Sequence, residues 1–395
     1  TGAYDNQGGV NIGASITAQL SNAISTANPN AFYTVGTSTP LVGTIPVLNL
    51  TTIAEIMQLQ IVTGDVIFEL PSSYSGEPAY PVTFTEFATD GPLHSVIIRP
   101  EAGSVNLLTD GVPASAIPLI DLNGVDRLIF DGRAGGSGPI QWTFRNARTT
   151  TTFSPTFRFI NGATENQLRY LNIESQNTGV GSGTILFSTS TVALGGNSNN
   201  IIEYCEIREN TANNATPANA IHSDGTTGAL NEGNIIRHNN IRNFYNAANT
   251  HRGVSLVANN TGWLIERNSF FQTTSRTNSN GSFNAINITN TGDNFIVRHN
   301  YIGGSEPLNG GSALTYTGTG SGTFFGIDIN PATSATNCIV DSNIVANLSF
   351  SRGTTSTAVG FVGIRNTSGA TLINDNMIGS TNTNGNILIT ENFTT

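Results

Sequence analysis

Ile236-Arg237-His238-Asn239-Asn240-Ile241 recurs downstream as Ile265-Glu266-Arg267-Asn268-Ser269-Phe270 and as Val297-Arg298-His299-Asn300-Tyr301-Ile302. The form is apolar, two polar, Asn, one residue, apolar. Val340 to Val345 and Ile373 to Ile378 repeat it, with Asn343 and Asn376 in the Asn slot. Two earlier copies, Leu168 to Ile173 and Ile202 to Ile207, carry Leu171 and Cys205 there. The slots at 171, 205, 239, 268, 300, 343 and 376 are 34, 34, 29, 32, 43 and 33 residues apart. A period in the thirties with variable insertions is the mark of stacked supersecondary units.

Within one copy the two apolar anchors lie five residues apart, an odd number, so on one continuous strand they face opposite ways. Both reach a core only if the chain turns a corner between them. Asn tolerates the left-handed conformation a corner needs, and the reading places it at the bend. Stacked amides then form a ladder of Asn239, Asn268, Asn300, Asn343 and Asn376. Ile221, Val254, Ile286, Ile327 and Ile364 mark a further strand in each unit. Strand, corner, strand and loop make an all-β chain, a parallel β-helix solenoid. No stretch carries an apolar stripe of helical period over several turns, which excludes a helical solenoid.

Aligned on the ladder, the residue after the first anchor reads Arg169, Glu203, Arg237, Glu266, Arg298, Asp341, alternating in sign at every step. Stacked strands lie about 4.8 Å apart. Opposite charges across that gap contribute roughly 0.2–1 kcal/mol, whereas like charges destabilise. The row therefore reads as a structural charge ladder rather than a set of catalytic acids and bases.

Composition agrees with strands and turns: 43 of 395 residues are Gly and only 11% are charged. All sixteen Lys+Arg residues are Arg, which removes lysine-based catalysis, and the net charge of −10 speaks against nucleic acid or an anionic membrane as partner. No apolar run approaches the roughly 20 residues that cross a bilayer, so direct membrane insertion is not expected. Cys205 sits in a ladder slot and Cys338 several coils away, so neither a disulfide nor a thiolate metal site is expected. No metal or cofactor is expected. No signal peptide precedes Thr1, which reads as a mature N-terminus.

The first 160 residues are less regular, but Val66-to-Leu70, Val82-to-Phe84, Val96-to-Arg99 and Leu128-to-Phe130 read as short strands. Thr51 to Gln60 is the one helix candidate, and it would cover the open end of the solenoid. The expected organisation is an N-terminal extension and cap over 1–60 and a parallel β-helix over 61–395.

Phe32-Tyr33-Thr34-Val35-Gly36, Thr52-Ile53-Ala54-Glu55, Gly64 to Leu70, Ile97-Ile98-Arg99-Pro100, Asp131 to Gly136 and Phe159 to Thr164 occur in that order. Together they resemble the large secreted surface proteins of Bacteroidetes that carry a right-handed, pectate-lyase-like β-helix, over roughly residues 30 to 380. The resemblance implies a right-handed solenoid, an extracellular or bacterial cell-surface location, and export by the type IX route. The C-terminal sorting domain of that route is not seen in this sequence.

For function, the second-strand row His222, Ser255, Asn287, Asp328, Arg365 reads as a solvated sheet face, and Asp224, Asp293, Asp328 and Glu306 show no paired spacing for hydrolysis. His222 with Asp224, and His251 with Arg252, are the best local clusters, read as surface groups; no catalytic residue is assigned. The corner row Tyr170, Tyr204, His238, Arg267, His299, continued by Ser342 and Asp375, is the candidate binding surface for sugar chains. The expected role is a non-catalytic, structural or adhesive surface or filament component that pairs with itself. The alternatives are a polysaccharide lyase or glycoside hydrolase, or a carbohydrate-binding module of a larger surface protein, with a polysaccharide as partner.

Overall fold

The chain is a parallel β-helix in a computed structural model that describes residues 30–34, 49–59, 61–62, 65–70, 74, 76–89, 93–103, 106–110, 116–148, 153–290, 292–318, 320–352, 360–380 and 386–391. Most of the Gly-, Asn-, Thr- and Ser-rich stretch to about residue 45 lies outside them. Each regular coil contributes three strands, one more than the sequence pattern suggests. In the central coil these are Ile235–Arg237, Asn240–Arg242 and His251–Leu256. They stack into a first sheet of 11 strands and second and third sheets of 9 each. A four-stranded sheet (Arg276–Asn278, Leu314–Gly318, Leu348–Arg352, Ile387–Glu391) flanks the later coils.

The apolar anchors form columns. Ile202, Ile236, Ile265, Val297 and Val340 are fully enclosed in the first sheet, as are Ile207, Ile241, Phe270, Ile302 and Val345 in the second. Burying such side chains is worth roughly 1.5–3 kcal/mol each, enough to hold the register coil upon coil.

The corner differs from expectation in one respect. The left-handed residue is not the Asn but the one before it: Tyr170, Tyr204, His238, Arg267, His299, Ser342 and Asp375 have φ between +50° and +57°. Asn is required for its amide. Asn268 Nδ2 donates to Ile236 O (2.9 Å) on the preceding coil and to Asn300 Oδ1 (3.1 Å) on the next. Its Oδ1 accepts from the backbone N–H and the Nδ2 of Asn239, both at 3.0 Å. The same bonds run through Asn300, Asn343 and Asn376. Each amide thus satisfies main-chain groups that the turn has released from the sheets, inside a core where an unpaired group costs about 1–3 kcal/mol.

At the N-terminal end lies one helix, α1 (Leu50–Leu59), close to the predicted span. Asn49 Oδ1 caps it at Thr52 N (2.8 Å), and the Glu77 carboxylate accepts from Leu50 N (2.8 Å) and Thr51 N (2.9 Å). A negative group on the free N–H end is the favourable placement. Leu50, Ile53, Ile56 and Met57 are buried, so the helix packs its apolar face onto this end. The first sheet nevertheless begins before it: Asn30–Thr34 pairs in parallel with Asp65–Leu70, ahead of residue 61, the expected start of the solenoid.

Candidate functional site

The alternating row lies on the outward side of the first sheet, with Arg169, Glu203, Arg237, Glu266, Arg298 and Asp341 in register. Each Arg leans back onto the acid of the coil before it: Arg169 to Asp131 (3.0 Å), Arg237 to Glu203 (2.7 Å) and Arg298 to Glu266 (2.8 Å). The row starts earlier than the sequence motif, because Arg99 binds Glu69 (2.7 Å) in the same way. These charges are consumed by one another, except Asp341 at the end of the row, which accepts from Ser342 Oγ and Asn374 Nδ2.

The first half of the corner row is stacked on itself. The Tyr170 and Tyr204 rings stack at 4.8 Å and 4°, Tyr204 and His238 at 4.8 Å and 7°, and the Arg133 guanidinium lies 3.9 Å over Tyr170. Ring faces turned to one another leave only their edges to solvent, so a sugar cannot stack on them between the ends of the row. Burial and the Arg267 charge lower the His238 pKa. Arg267 and His299 follow in the same left-handed slot one and two coils on.

The outward row of the third sheet is the one that breaks pattern. Its register reads Asp121, Arg158, Leu186, His222, Ser255, Asn287, Asp328, Arg365. Both ends are closed ion pairs, Arg158 Nε to Asp121 (2.7 Å) and Arg365 to Asp328 (2.8 and 2.7 Å). Between them the row carries no fixed charge. It is also not a solvated face: His222, Ser255, Asn287 and Asp328 are all buried. Flanking loops rise beside the sheet. Asn219 donates both amide hydrogens to Val180 O (2.9 Å) and Ser182 O (2.8 Å), fixing one wall. Two coils on, Asn249 and Thr250 stand at the same end of the strands, and the His251 Nδ1 lies 3.1 Å from Asn249 O.

A local irregularity in the strands brings Arg252 to the same surface. A Cβ on Gly253 would meet Phe270 Cδ1 and Ala285 O, each at 2.5 Å, so this position faces the core and admits no side chain. Val254 faces the core as well, and Ala220 and Ala285 hold the equivalent small position on the coils to either side. Two consecutive inward residues leave Arg252 and Ser255 both outward. The pairs Asn219/His222, Arg252/Ser255 and Asn284/Asn287 repeat this on successive coils.

The result is a cleft of about 450 Å³ lined by Val180, Gly181, His222, Asp224, Asn249, Thr250, Arg252 and Val257. Arg252 Nε donates to Asn287 Oδ1 (3.1 Å), and its guanidinium makes no ion pair among the described residues. Burial lowers its pKa, an effect the Asp328 charge opposes. His222 is only 4% exposed, and its Nδ1 has no partner among the described residues. Burial, then the Arg252 charge, push its pKa down to about 4, so the ring is neutral near pH 7. Asn219 Oδ1, Ser255 Oγ and Asn284 Oδ1 are enclosed and unpartnered on the same coils. Such groups in a native interior mark a functional surface or a solvent site.

Chemically, one acid-free cation, polar donors and two valines can hold an anionic, hydroxylated ligand. His222 is too weak a base to take a proton from carbon, and the two carboxylates of a hydrolase do not converge here. Among the described residues no cluster of His, Cys, Asp and Glu is arranged to hold a metal ion. The two local clusters of the sequence are thereby divided: His222, Asp224 and Arg252 meet in the cleft, while His251 turns inward and accepts the Tyr316 hydroxyl on Nε2 (2.6 Å). Asn249, Thr250, Val180 and Val257 carry no sequence signal, since loops alone place them. The small-residue column at 220, 253 and 285 is the signal that was there to be read.

No family model and no curated protein matches this chain. Among solved structures it is similar to an alginate lyase from Paenibacillus sp. str. FPU-7, at 11% identity and a TM-score of 0.30, over 89% of this chain and 99% of that one. A likeness that remote bears on neither substrate nor chemistry.

Proposed function

We propose that this β-helix binds an acidic polysaccharide along its third sheet and does not cleave it. The observation that carries the reading is Arg252, a largely enclosed guanidinium without an acid partner in a cleft whose other polar groups are uncharged donors and acceptors, Asp224 apart. A sugar carboxylate is the complement of that guanidinium, with Asn287 supporting it from the next coil. Val180 and Val257 supply apolar contact for a sugar ring, and Thr250 and Asn249 hydrogen bonds for its hydroxyls. Acidic polysaccharides are polymers of the extracellular space, so the reading carries an extracellular or cell-surface location with it.

Calorimetric titration with oligogalacturonate and oligomannuronate, against neutral oligosaccharides of equal length, tests the proposal. Binding of an acidic oligomer is expected, lost at least tenfold in Arg252→Ala. Equal affinity for neutral oligomers removes the reading. Absorbance of newly formed unsaturated ends would instead make the protein a lyase.

Self-association is a second reading that one observation favours. Ile373 and Ile378 continue columns that are fully enclosed upstream, yet they are 45% and 50% exposed. Association through this face is tail to tail and buries these columns in a dimer. Sedimentation of the wild type and of Ile378→Asp decides it.

A further inference from the structure

The outward side of the first sheet carries a second row beside the charge ladder. It stands two residues before each charge, as Ile235 stands before Arg237, and strand alternation turns both to the same face. Ten coils contribute, from Ile67 to Leu372, and nine of the ten residues are Ile or Leu, Gln167 being the exception. Ile129 alone is enclosed; the others are half-buried or, at Leu372, exposed. The corresponding outward row of the second sheet is polar, reading Thr143, Asn172, Glu206, Asn240, Ser269, Tyr301. Coiling alone therefore does not demand an aliphatic stripe, and one that runs the length of an outward face marks an interaction surface.

We propose that this face pairs with a second copy of the chain turned end for end, stripe on stripe. The twofold axis runs parallel to the strands, midway between the coils of Glu203 and Arg237. Five coils of the stripe lie on each side of that axis, so Ile201 meets Ile235 of the second copy and Ile67 meets Leu372. The face is distinct from the polysaccharide cleft and from the exposed C-terminal columns, and the pairing stands independently of both.

The alternating charges select this occupant and its direction. Reversal about an axis between two coils sets every position against one of opposite sign: Glu203 meets Arg237, Arg169 meets Glu266 and Asp131 meets Arg298. An axis through a coil would set like against like. An axis along the solenoid would carry the two ladders to opposite sides of the stripe, where their signs decide nothing. A strictly alternating row is thus self-complementary end for end, and repulsive when slipped by one coil. Each Arg is already paired within its own chain, so the ladder fixes direction and register while the stripe supplies affinity.

Size sets the strength. Ten coils about 4.8 Å apart and strands of three residues at about 3.3 Å each make a face of about 48 by 10 Å, so about 1,000 Å² over two copies, the lower limit for a specific interface. A reversible dimer in the micromolar range is therefore expected in sedimentation of the wild type. Ile235→Asp should weaken it at least tenfold, and Ile378→Asp at the C-terminal end should leave it unchanged. Direction is read from a spin label on Asn374→Cys, an exposed position on the tenth coil, since both native thiols are buried. End-for-end pairing separates the two labels by nine coils, about 43 Å, whereas parallel or tail-to-tail pairing places them side by side. Arg237→Glu should weaken the dimer at least tenfold, because the twofold axis repeats the like-charge contact, and Glu203→Arg added to it should restore the affinity.

Recovery on a second charge reversal is a result that misfolding cannot imitate. A wild type that stays monomeric at submillimolar concentration overturns the pairing. A dimer that survives Ile235→Asp overturns it as well, and one lost in Ile378→Asp instead belongs to the C-terminal end. A short distance between the Asn374→Cys labels, or a doubly reversed protein that associates no better than Arg237→Glu, removes the end-for-end register and the proposal with it.

Discussion

The first and third sheets are built by the same coils, yet their outward rows differ. On the first, every position from Glu69 to Asp341 is charged and the signs alternate, so each Arg has an acid one coil away. On the third, ion pairs close the two ends and the middle is left without fixed charge, with Arg252 displaced beside it. A ladder that neutralises itself has nothing left for a ligand. The interruption of a ladder is where a ligand can enter, and this contrast is open to test at four depths.

The largest effect is expected where repetition is strictest. Asn268→Ala strands Asn239 N and Ile236 O inside the core. Two enclosed orphans at about 1–3 kcal/mol each predict a loss of about 4 kcal/mol, visible as a lowered denaturation midpoint at constant slope. On the third sheet, Ser255→Ala removes a hydroxyl that already lacks a partner and should leave the midpoint unchanged or raise it. Similar losses from both would erase the distinction between ladder and site.

Acid should attack the third sheet and spare the ladder. His222 and His251 both have their pKa pushed down to about 4, chiefly by burial, from an ordinary 6.5. The unfolded chain therefore takes up protons first as pH falls through 6.5, and the folded chain only near 4. Stability is complete above pH 6.5 and is lost between 6.5 and 4, by on the order of 3 kcal/mol for each ring at the lower limit. His222→Asn should flatten the slope of midpoint against pH over that window. An unchanged slope would mean that the ring is already charged in the fold, and the cleft would then be a stronger anion site than argued above.

The sequence exposes the solenoid well and the site poorly, for physical reasons. Ladder and columns demand the same side chain at the same place on every coil, and that demand appears as periodicity. The left-handed corner residue escapes the pattern because hydrogen bonds within the fold, rather than intrinsic preference, select it. Tyr170, Tyr204, His238 and Arg267 all accept φ above +50° because the adjoining amide network compensates the strain. Glu69, Arg99 and Asp131 escape as ladder members because the early coils lack the Asn that aligns the later ones. The third-sheet row reads as a solvated face in the sequence since alternation along a strand reports which way a residue points. It does not report what loops do above the sheet. Only the small residues Ala220, Gly253 and Ala285 betray that the strands bend there.

Arginine replacement on the two sheets should give opposite outcomes. Arg252→Ala is expected to cost at least tenfold in affinity for an acidic oligosaccharide, about 1.4 kcal/mol, with stability held or slightly raised because an enclosed cation without an acid is removed.

The smallest effect, and the sharpest test of what a ladder is, comes from the first sheet. Arg237→Ala should leave binding untouched and cost about 1 kcal/mol, the worth of a half-exposed pair with a 2.7 Å contact. Exchanging the partners, Glu203→Arg with Arg237→Glu, preserves that contact. It also sets the new guanidinium against Arg169 on one side and the new carboxylate against Glu266 on the other, so two like-charge steps replace two favourable ones. If the couples act alone, the exchange is silent in a thermal melt. If the row acts as a ladder, the exchanged protein is less stable than Arg237→Ala although its ion pair is intact, and salt narrows the gap by screening the two repulsive steps.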